Sequence, residues 1–161
     1  MSNVKPQLIM LIGLPGSGKS TFIQHLNNSN YVVLSTDNIL TEWGAEKGLN
    51  YNEAFKKFPF KQVEAEFKRR YKAALKDKKD IILDQTNLTQ KSRTRKLTQV
   101  PIEYQKIGIV FKINKEELDR RLKKRAIEEG KSIPEHVMKQ MAASFSYPSK
   151  SEFDEIKEVN S

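Results

Sequence analysis

Gly13-Leu14-Pro15-Gly16-Ser17-Gly18-Lys19-Ser20, followed by Thr21, is the densest group of chemically capable residues in the 161-residue chain. Glycines let a backbone turn its N–H groups inward around an anion, where a Cβ would collide. A helix that starts at the end of such a turn presents its positive pole to the same anion. The full G-x-x-x-x-G-K-[ST] spacing lies between an apolar run, Leu8–Ile12, and a helical pattern, Lys19–Leu26. This is the pattern of a loop that holds a nucleoside triphosphate. Gly13, Pro15, Gly16, Ser17, Gly18 and Thr21 are expected to wrap the phosphates. Lys19 would reach the β- and γ-phosphates, and the Ser20 hydroxyl would face Mg²⁺.

Phosphoryl transfer also needs a group that orients the acceptor and groups that balance charge. In open α/β sheets ligands lie outside the carboxyl ends of the strands. Two carboxylates fall at such ends. Asp37 follows the apolar run Tyr31–Leu34, and Asp84 closes Asp80–Leu83. Asp37 can take the proton of an attacking hydroxyl. It can equally cap a helix starting at Asn38 or Ile39. Asp84 can hold the metal through water or orient the acceptor, and it can equally be a turn-forming aspartate. Arg121 and Arg125, four residues apart, share one helix face. On a lid spanning about Arg120–Pro134 they would neutralise the transferring group. Their alternative is a solvated face paired with Glu117, Asp119, Glu128 and Glu129. Trp43, Tyr51, Phe55, Phe58 and Phe60 are expected to pack a helical insertion rather than to stack on bases. His25 and His136 read as structural or surface residues.

The elements that must position these residues are legible as an alternation. Leu8–Ile12, Tyr31–Leu34, Asp80–Leu83 and Ile107–Ile113 read as buried parallel strands. Lys19–Leu26, Pro59–Leu75, Ser92–Gln99 and Lys115–Glu129 read as helices between them. Glu135–Ser144 adds a helix after Pro134, and Glu155–Val159 suggests a last edge strand. Strands alternating with helices predict one α/β domain over residues 1–161, three layers deep, with a central parallel sheet and right-handed crossovers.

Composition narrows the chemistry. The absence of cysteine excludes disulfides, thiolate metal sites and cysteine nucleophiles. Two histidines leave almost no room for a histidine metal cage. The run Leu8–Ile12 is far short of the ~18 residues of a membrane span. No signal peptide is read, so no membrane partner and an intracellular site, cytoplasmic or nuclear, are expected. The net charge of +9 and pI near 9.6 suit either a polyanionic partner or a lysine-rich solvated surface. The basic residues cluster, with eight between Lys61 and Lys79, four between Lys91 and Lys96, and five between Arg120 and Arg125.

Taken in order, these residues resemble the P-loop kinase domains related to polynucleotide 5′-hydroxyl kinase. The resemblance rests on Gly13–Thr21, Asp37, Ile82-Leu83-Asp84-Gln85-Thr86-Asn87, Arg93-Thr94-Arg95-Lys96 and Arg121–Arg125. It continues through Pro134 and Met141 to Phe145-Ser146-Tyr147-Pro148 and Phe153-Asp154-Glu155-Ile156. It implies a P-loop NTPase fold and Mg²⁺-dependent transfer of the γ-phosphoryl of ATP to the 5′-hydroxyl of RNA or DNA. Lys19, Asp37, Asp84 and Arg125 would be catalytic, with Asp37 the general base. Ser20 and Asp84 would face the metal. Arg121 and Arg125 would join the loop on the nucleotide, and Asp37 and Asn87 would meet the acceptor.

Within that group, Ile82–Asn87 and Glu129–His136 are similar to the nucleotide-binding domain of the hnRNP U (scaffold attachment factor A) family. That similarity implies an alternative, an ATP-binding, RNA-interacting module with little or no transfer activity. In that family the position of Asp37 tends to carry a residue other than an acid. Phage-type polynucleotide kinase has an arginine three residues after its base, where this chain has Leu40. A kinase for a small metabolite or nucleoside is the third reading.

Overall fold

The computed structural model describes residues 4–26 and 30–161. Its core is a five-stranded sheet in the order β2-β3-β1-β4-β5, with every neighbouring pair parallel. The strands are β1 (Gln7–Ile12), β2 (Val32–Leu34), β3 (Ile81–Leu83), β4 (Gln105–Lys112) and β5 (Glu155–Asn160). Strand β1 is central because nearly all of its residues are buried. Leu8, Met10 and Ile12 enter one apolar cluster, and Ile9 and Leu11 enter the other. Alternating side chains of one apolar strand thus feed both faces, which is how a continuous hydrophobic run becomes an interior strand.

Helix α1 (Lys19–Leu26) covers the Ile9–Leu11 face through Phe22, Ile23 and Leu26. The opposite face is covered by α2 (Thr36–Glu46), α3 (Tyr51–Lys57) and α4 (Phe60–Lys76). In α4 the residues Val63, Phe67, Tyr71, Ala74 and Leu75 are buried, an apolar stripe at helical spacing. Helices α5 (Gln90–Leu97), α6 (Lys115–Glu129) and α7 (Glu135–Ser144) complete the alternation. The expected strands and helices are present, with ends displaced by one or two residues. The stretch of about Thr41–Lys76, expected as a helical acceptor region, resolves into most of α2 and the whole of α3 and α4. Asn50 starts α3 with a reciprocal capping box to Glu53.

The weakly signalled last strand is a genuine partner of β4, from Ile107 paired with Glu155 to Lys112 paired with Asn160. Only Ile156 and Val159 are even half-buried, which is the exposure of an edge strand. Close approach fixes this end of the sheet. A Cβ on Gly108 would lie 2.9 Å from the Phe153 ring, so only glycine lets the ring press on β4. No described helix is long and apolar enough to cross a membrane.

Candidate functional site

The C-terminal ends of β1, β2 and β3 open onto a cleft of about 530 Å³ that merges with a second of about 260 Å³. Pro15, Ser35, Asp37, Asp84, Gln85, Thr86, Arg125 and Lys131 line both. Gly16, Gly18, Lys19, Ser20 and Thr21 line the larger one. The sheet explains the convergence. Gly13 N–H donates to Thr86 O at 3.0 Å, and Asp84 N–H donates to Leu34 O at 2.8 Å. The three strand ends are therefore tied together just before each chain segment leaves the sheet.

The loop between β1 and α1 has the strain its sequence predicts. Gly18 has φ +111 and Gly16 has φ +84, values that L side chains rarely adopt. Gly13 is enclosed, and an added Cβ would be 2.7 Å from Ser17 Oγ. Ser17 itself is buried, and among the described residues its hydroxyl has no hydrogen-bond partner. Gln85 Oε1, at the cleft wall, is likewise without one. Buried polar atoms without partners are rare, and they mark this loop as built around something polar.

Lys19 Nζ donates to Gly13 O at 2.6 Å and reaches Leu14 O at 3.4 Å, so the ammonium folds back over the loop. Burial lowers its pKa to about 8, against the opposing pull of the Asp84 and Asp37 carboxylates. Arg125 adds to the lowering. The side chains of Lys19, Asp37, Asp84 and Arg125 thus form one electrostatic unit.

Asp37 is not a helix cap. Helix α2 starts one residue earlier, at Thr36, and Ser35 Oγ accepts from Asn38 N–H as the N-cap. The Asp37 carboxylate is consequently released from capping and turned to the cleft. Its Oδ1 accepts from Tyr51 Oη at 2.7 Å. Asp84 faces it across the cleft. Burial raises its pKa, the Asp37 charge adds to this, and Lys19 and Lys131 oppose it.

On α6, Arg121 Nε donates to Glu117 Oε1 at 3.0 Å, and its Nη1 reaches Gly16 O at 3.5 Å. Arg125 pairs loosely with Glu129 at 3.6 Å. Arg120 and Arg121 hydrogen-bond to Glu117 and bring its pKa down to about 2. The basic helix thus faces the cleft and is paired with its own acids, Glu117 and Glu129. The arginines line the cleft, and acids on their own helix hold them in place.

Asn87 needs correcting. Expected at the acceptor, it is 2% exposed and lines neither cleft. Its amide donates to Leu11 O at 2.8 Å and to Gln85 O at 3.2 Å. Its Oδ1 accepts from Lys96 Nζ, a lysine whose pKa burial lowers to about 8. With every side-chain polar atom engaged and φ +47, Asn87 locks the turn after β3. Leu40 is also buried, at 3% exposure, so this chain presents no side chain to the cleft from that position.

Sequence reasoning missed Tyr51 and Lys131 at the site. Tyr51 was grouped with core aromatics, yet its hydroxyl meets Asp37 and Lys131 Nζ lies 5.1 Å from its ring centroid. Only the capping box beginning at Asn50 could have shown that Tyr51 opens a helix. The other insertion aromatics divide. Trp43 and Phe58 pack edge-to-face at 5.3 Å against the core, as expected, whereas Phe55 and Phe60 are exposed.

The donor set suits a triphosphate with Mg²⁺. Ser20 and Asp84 offer hard oxygen atoms beside the phosphate loop in the larger cleft. Among the described residues no group of three or more histidine or acidic side chains clusters as a complete metal site. Mg²⁺ typically takes one or two protein oxygens and completes its shell with substrate phosphates and water, which matches. Ser20 and Asp84 are the residues that would hold it.

Residues 8–148 match the AAA domain family. The chain belongs to that family. It is 32% identical over 158 residues to heterogeneous nuclear ribonucleoprotein U-like protein 2 of Mus musculus, an alignment that covers 93% of this chain and 21% of the relative. The chain therefore spans about a fifth of the length of the curated relatives it matches. A chain of the Pnkp1/Rnl/Hen1 complex superposes with a TM-score of 0.58 and 26% identity, covering 75% of this chain and 40% of that one. A putative kinase from Chloroflexus aurantiacus j-10-fl superposes at 0.68 over 97% of this chain and 85% of its own, with 16% identity. The second likeness is one of fold. This AAA domain carries its phosphate loop on a parallel five-stranded sheet, a fold it shares with the Chloroflexus aurantiacus protein.

Proposed function

We propose that this chain transfers the γ-phosphoryl group of ATP to the 5′-hydroxyl of an RNA or DNA strand, with Mg²⁺ bound. The observation that carries the reading is the Asp37 carboxylate, free of capping duty, in the same cleft as Lys19 and the phosphate loop. When bound, Mg²⁺ supplies charge neutralisation between phosphate oxygens. The chain's own residues do the rest. Loop amides and Lys19 hold the phosphates. Asp37 accepts the hydroxyl proton as the acceptor oxygen bonds to phosphorus and the bond to the β-phosphate oxygen breaks. Lys19 and Arg125 balance the charge that moves onto the leaving oxygen. Arg121, already at Gly16, steadies the loop.

The test is transfer of labelled γ-phosphate to 5′-hydroxyl RNA and DNA oligonucleotides, with 5′-phosphorylated strands, nucleosides and sugars as comparison acceptors. Label on 5′-hydroxyl strands alone supports the reading. Label on a sugar or nucleoside alone would replace it with a metabolite kinase.

A second reading is an ATP-binding, RNA-interacting module without transfer. The 32% identity to the U-like relative across nearly the whole chain favours it, as does the buried Leu40. It predicts that ATP changes RNA affinity while no phosphorylated product forms.

Phosphate binding is expected to carry a pH signature under either reading. In the free protein Lys19 titrates at about 8, below its ordinary value. Anionic phosphates bind its protonated form, so binding raises the pKa and takes up a proton above pH 8. Affinity for ATP should be level below pH 8 and fall above it, by at most about tenfold per pH unit. Calorimetry in buffers of different ionisation enthalpy would read the proton uptake. Level affinity from pH 7 to 9.5 would remove Lys19 from the phosphates.

A further inference from the structure

Helix α3 carries an aromatic path out of the cleft that the transfer chemistry does not use. Tyr51 Oη is hydrogen-bonded to Asp37 at 2.7 Å, and the Tyr51 ring stacks on Phe55 with centroids 6.3 Å apart and planes 30° apart. Phe55 is 58% exposed, unlike the neighbouring Phe58, which packs inward. Lys131 Nζ lies over the Tyr51 ring, and Lys56 and Lys57 follow Phe55 in exposed positions. A large exposed aromatic one helical turn from the site, continuous with it and flanked by cations, is unexplained by packing.

We propose that Tyr51 and Phe55 form a stacking platform for the first unpaired bases behind the 5′ end of a single-stranded nucleic acid, with Lys131, Lys56 and Lys57 along its phosphates. This rests on the proposed function, since it extends the acceptor outward from Asp37. The chemistry matches the general mode of single-strand binding, in which aromatic faces take successive bases and cations track the backbone. A small acceptor reaching only Asp37 would leave Phe55 in water. A duplex would bury its base faces within its own stack and gain nothing from the ring. The basic surroundings match a polyanion, which an apolar peptide would not need.

The experiment is fluorescence anisotropy with a 5′-hydroxyl single-stranded hexanucleotide, using wild type, Phe55→Ala and Phe55→Trp. A second hexanucleotide carries abasic sugars behind its 5′ residue. Phe55 is exposed, so its truncation removes little packing. Phe55→Ala is expected to weaken the normal hexanucleotide about tenfold, within the range of one base–aromatic stack. Phe55→Trp should bind as wild type. The abasic strand should bind wild type and Phe55→Ala equally. Equal affinity of wild type and Phe55→Ala for the normal strand would overturn the platform. So would an equal loss on the abasic strand. A concentration-dependent dimer that Phe55→Ala dissolves would assign the ring to a second copy of this chain instead. The two proposals separate cleanly. Platform behaviour without transfer refutes the kinase reading alone, and transfer unaffected by Phe55→Ala at subsaturating acceptor refutes the platform alone.

Discussion

Asp37→Asn is expected to lower turnover by about 10²–10⁴-fold while leaving ATP affinity within about twofold, the span that loss of a positioned general base produces. The substitution is nearly isosteric, and the amide oxygen can still accept from Tyr51 Oη as Oδ1 now does. Ser35, not Asp37, caps α2, so the helix keeps its cap. Structural damage is thereby minimised and the loss falls on proton acceptance. One secondary effect needs control. The Asp37 charge opposes the lowering of the Lys19 pKa, so removing it pushes that pKa further down. Measured at pH 7, where Lys19 stays mostly protonated, the comparison isolates the base. At pH 8.5 the same variant should also bind ATP more weakly. Unchanged turnover would show that Asp37 takes no proton. A loss confined to ATP affinity would make it part of the charge balance of the cleft.

How this site could be read from sequence depends on the kind of constraint each residue obeys. The phosphate loop was legible because its chemistry imposes residue types at fixed spacing, and the backbone follows, with positive φ at Gly16 and Gly18. The parallel sheet was legible because strands buried on both faces are continuously apolar. Edge strand β5 gave a weak signal because only every third or so of its residues is even half buried. Asp37 was ambiguous for a local reason. Serine and aspartate are both good caps, and Ser35-Thr36-Asp37 offers each a plausible frame until the helix start is fixed. Asn87 misled because its neighbours Asp84, Gln85 and Thr86 do line the cleft, and one left-handed residue reverses the direction of the side chain. Tyr51 and Lys131 were hidden because their partners are distant in sequence, and no spacing rule connects positions 37, 51 and 131.

The closing stretches Phe145–Pro148 and Phe153–Ile156 flank a buried ion pair. Arg93 is 0% exposed, and its Nε donates to the buried Glu152 carboxylate at 2.8 Å. Its Nη1 donates to Asn87 O and Leu88 O, each at 3.0 Å, and its Nη2 to Ser146 Oγ at 3.1 Å. Glu152 Oε2 in turn accepts from Ser149 N–H at 2.6 Å. One guanidinium thus ties the segment that begins at Asp84 to the chain end that pairs with β4.

Arg93→Met is expected to cost about 3–5 kcal/mol, because it leaves the buried Glu152 carboxylate without its cation, with only the Ser149 bonds to Oε2, and takes a donor from the Asn87 and Leu88 carbonyls. At 2–4 °C per kcal/mol for a chain of this size, the midpoint should fall by roughly 6–20 °C. The double variant Arg93→Met/Glu152→Leu should recover part of the loss, since it removes the stranded charge as well. Acid should mimic the single variant. Burial alone would raise the Glu152 pKa, but the bonds from Arg93 and Ser149 outweigh it and the net shift is downward. A lowered folded-state pKa means that the stability is in place above pH 4.5 and drains as the pH falls through the folded value. Glu152→Gln should therefore be less stable than wild type at neutral pH, and the gap should narrow below pH 4.5. Thermal melts and urea titrations of the four proteins at pH 7 and pH 3.5 measure all of this. If Arg93→Met matched wild type in midpoint, the tie would be ornamental. If it unfolded early yet kept full ATP affinity at low temperature, its contribution would be to the fold and not to the geometry of Asp84.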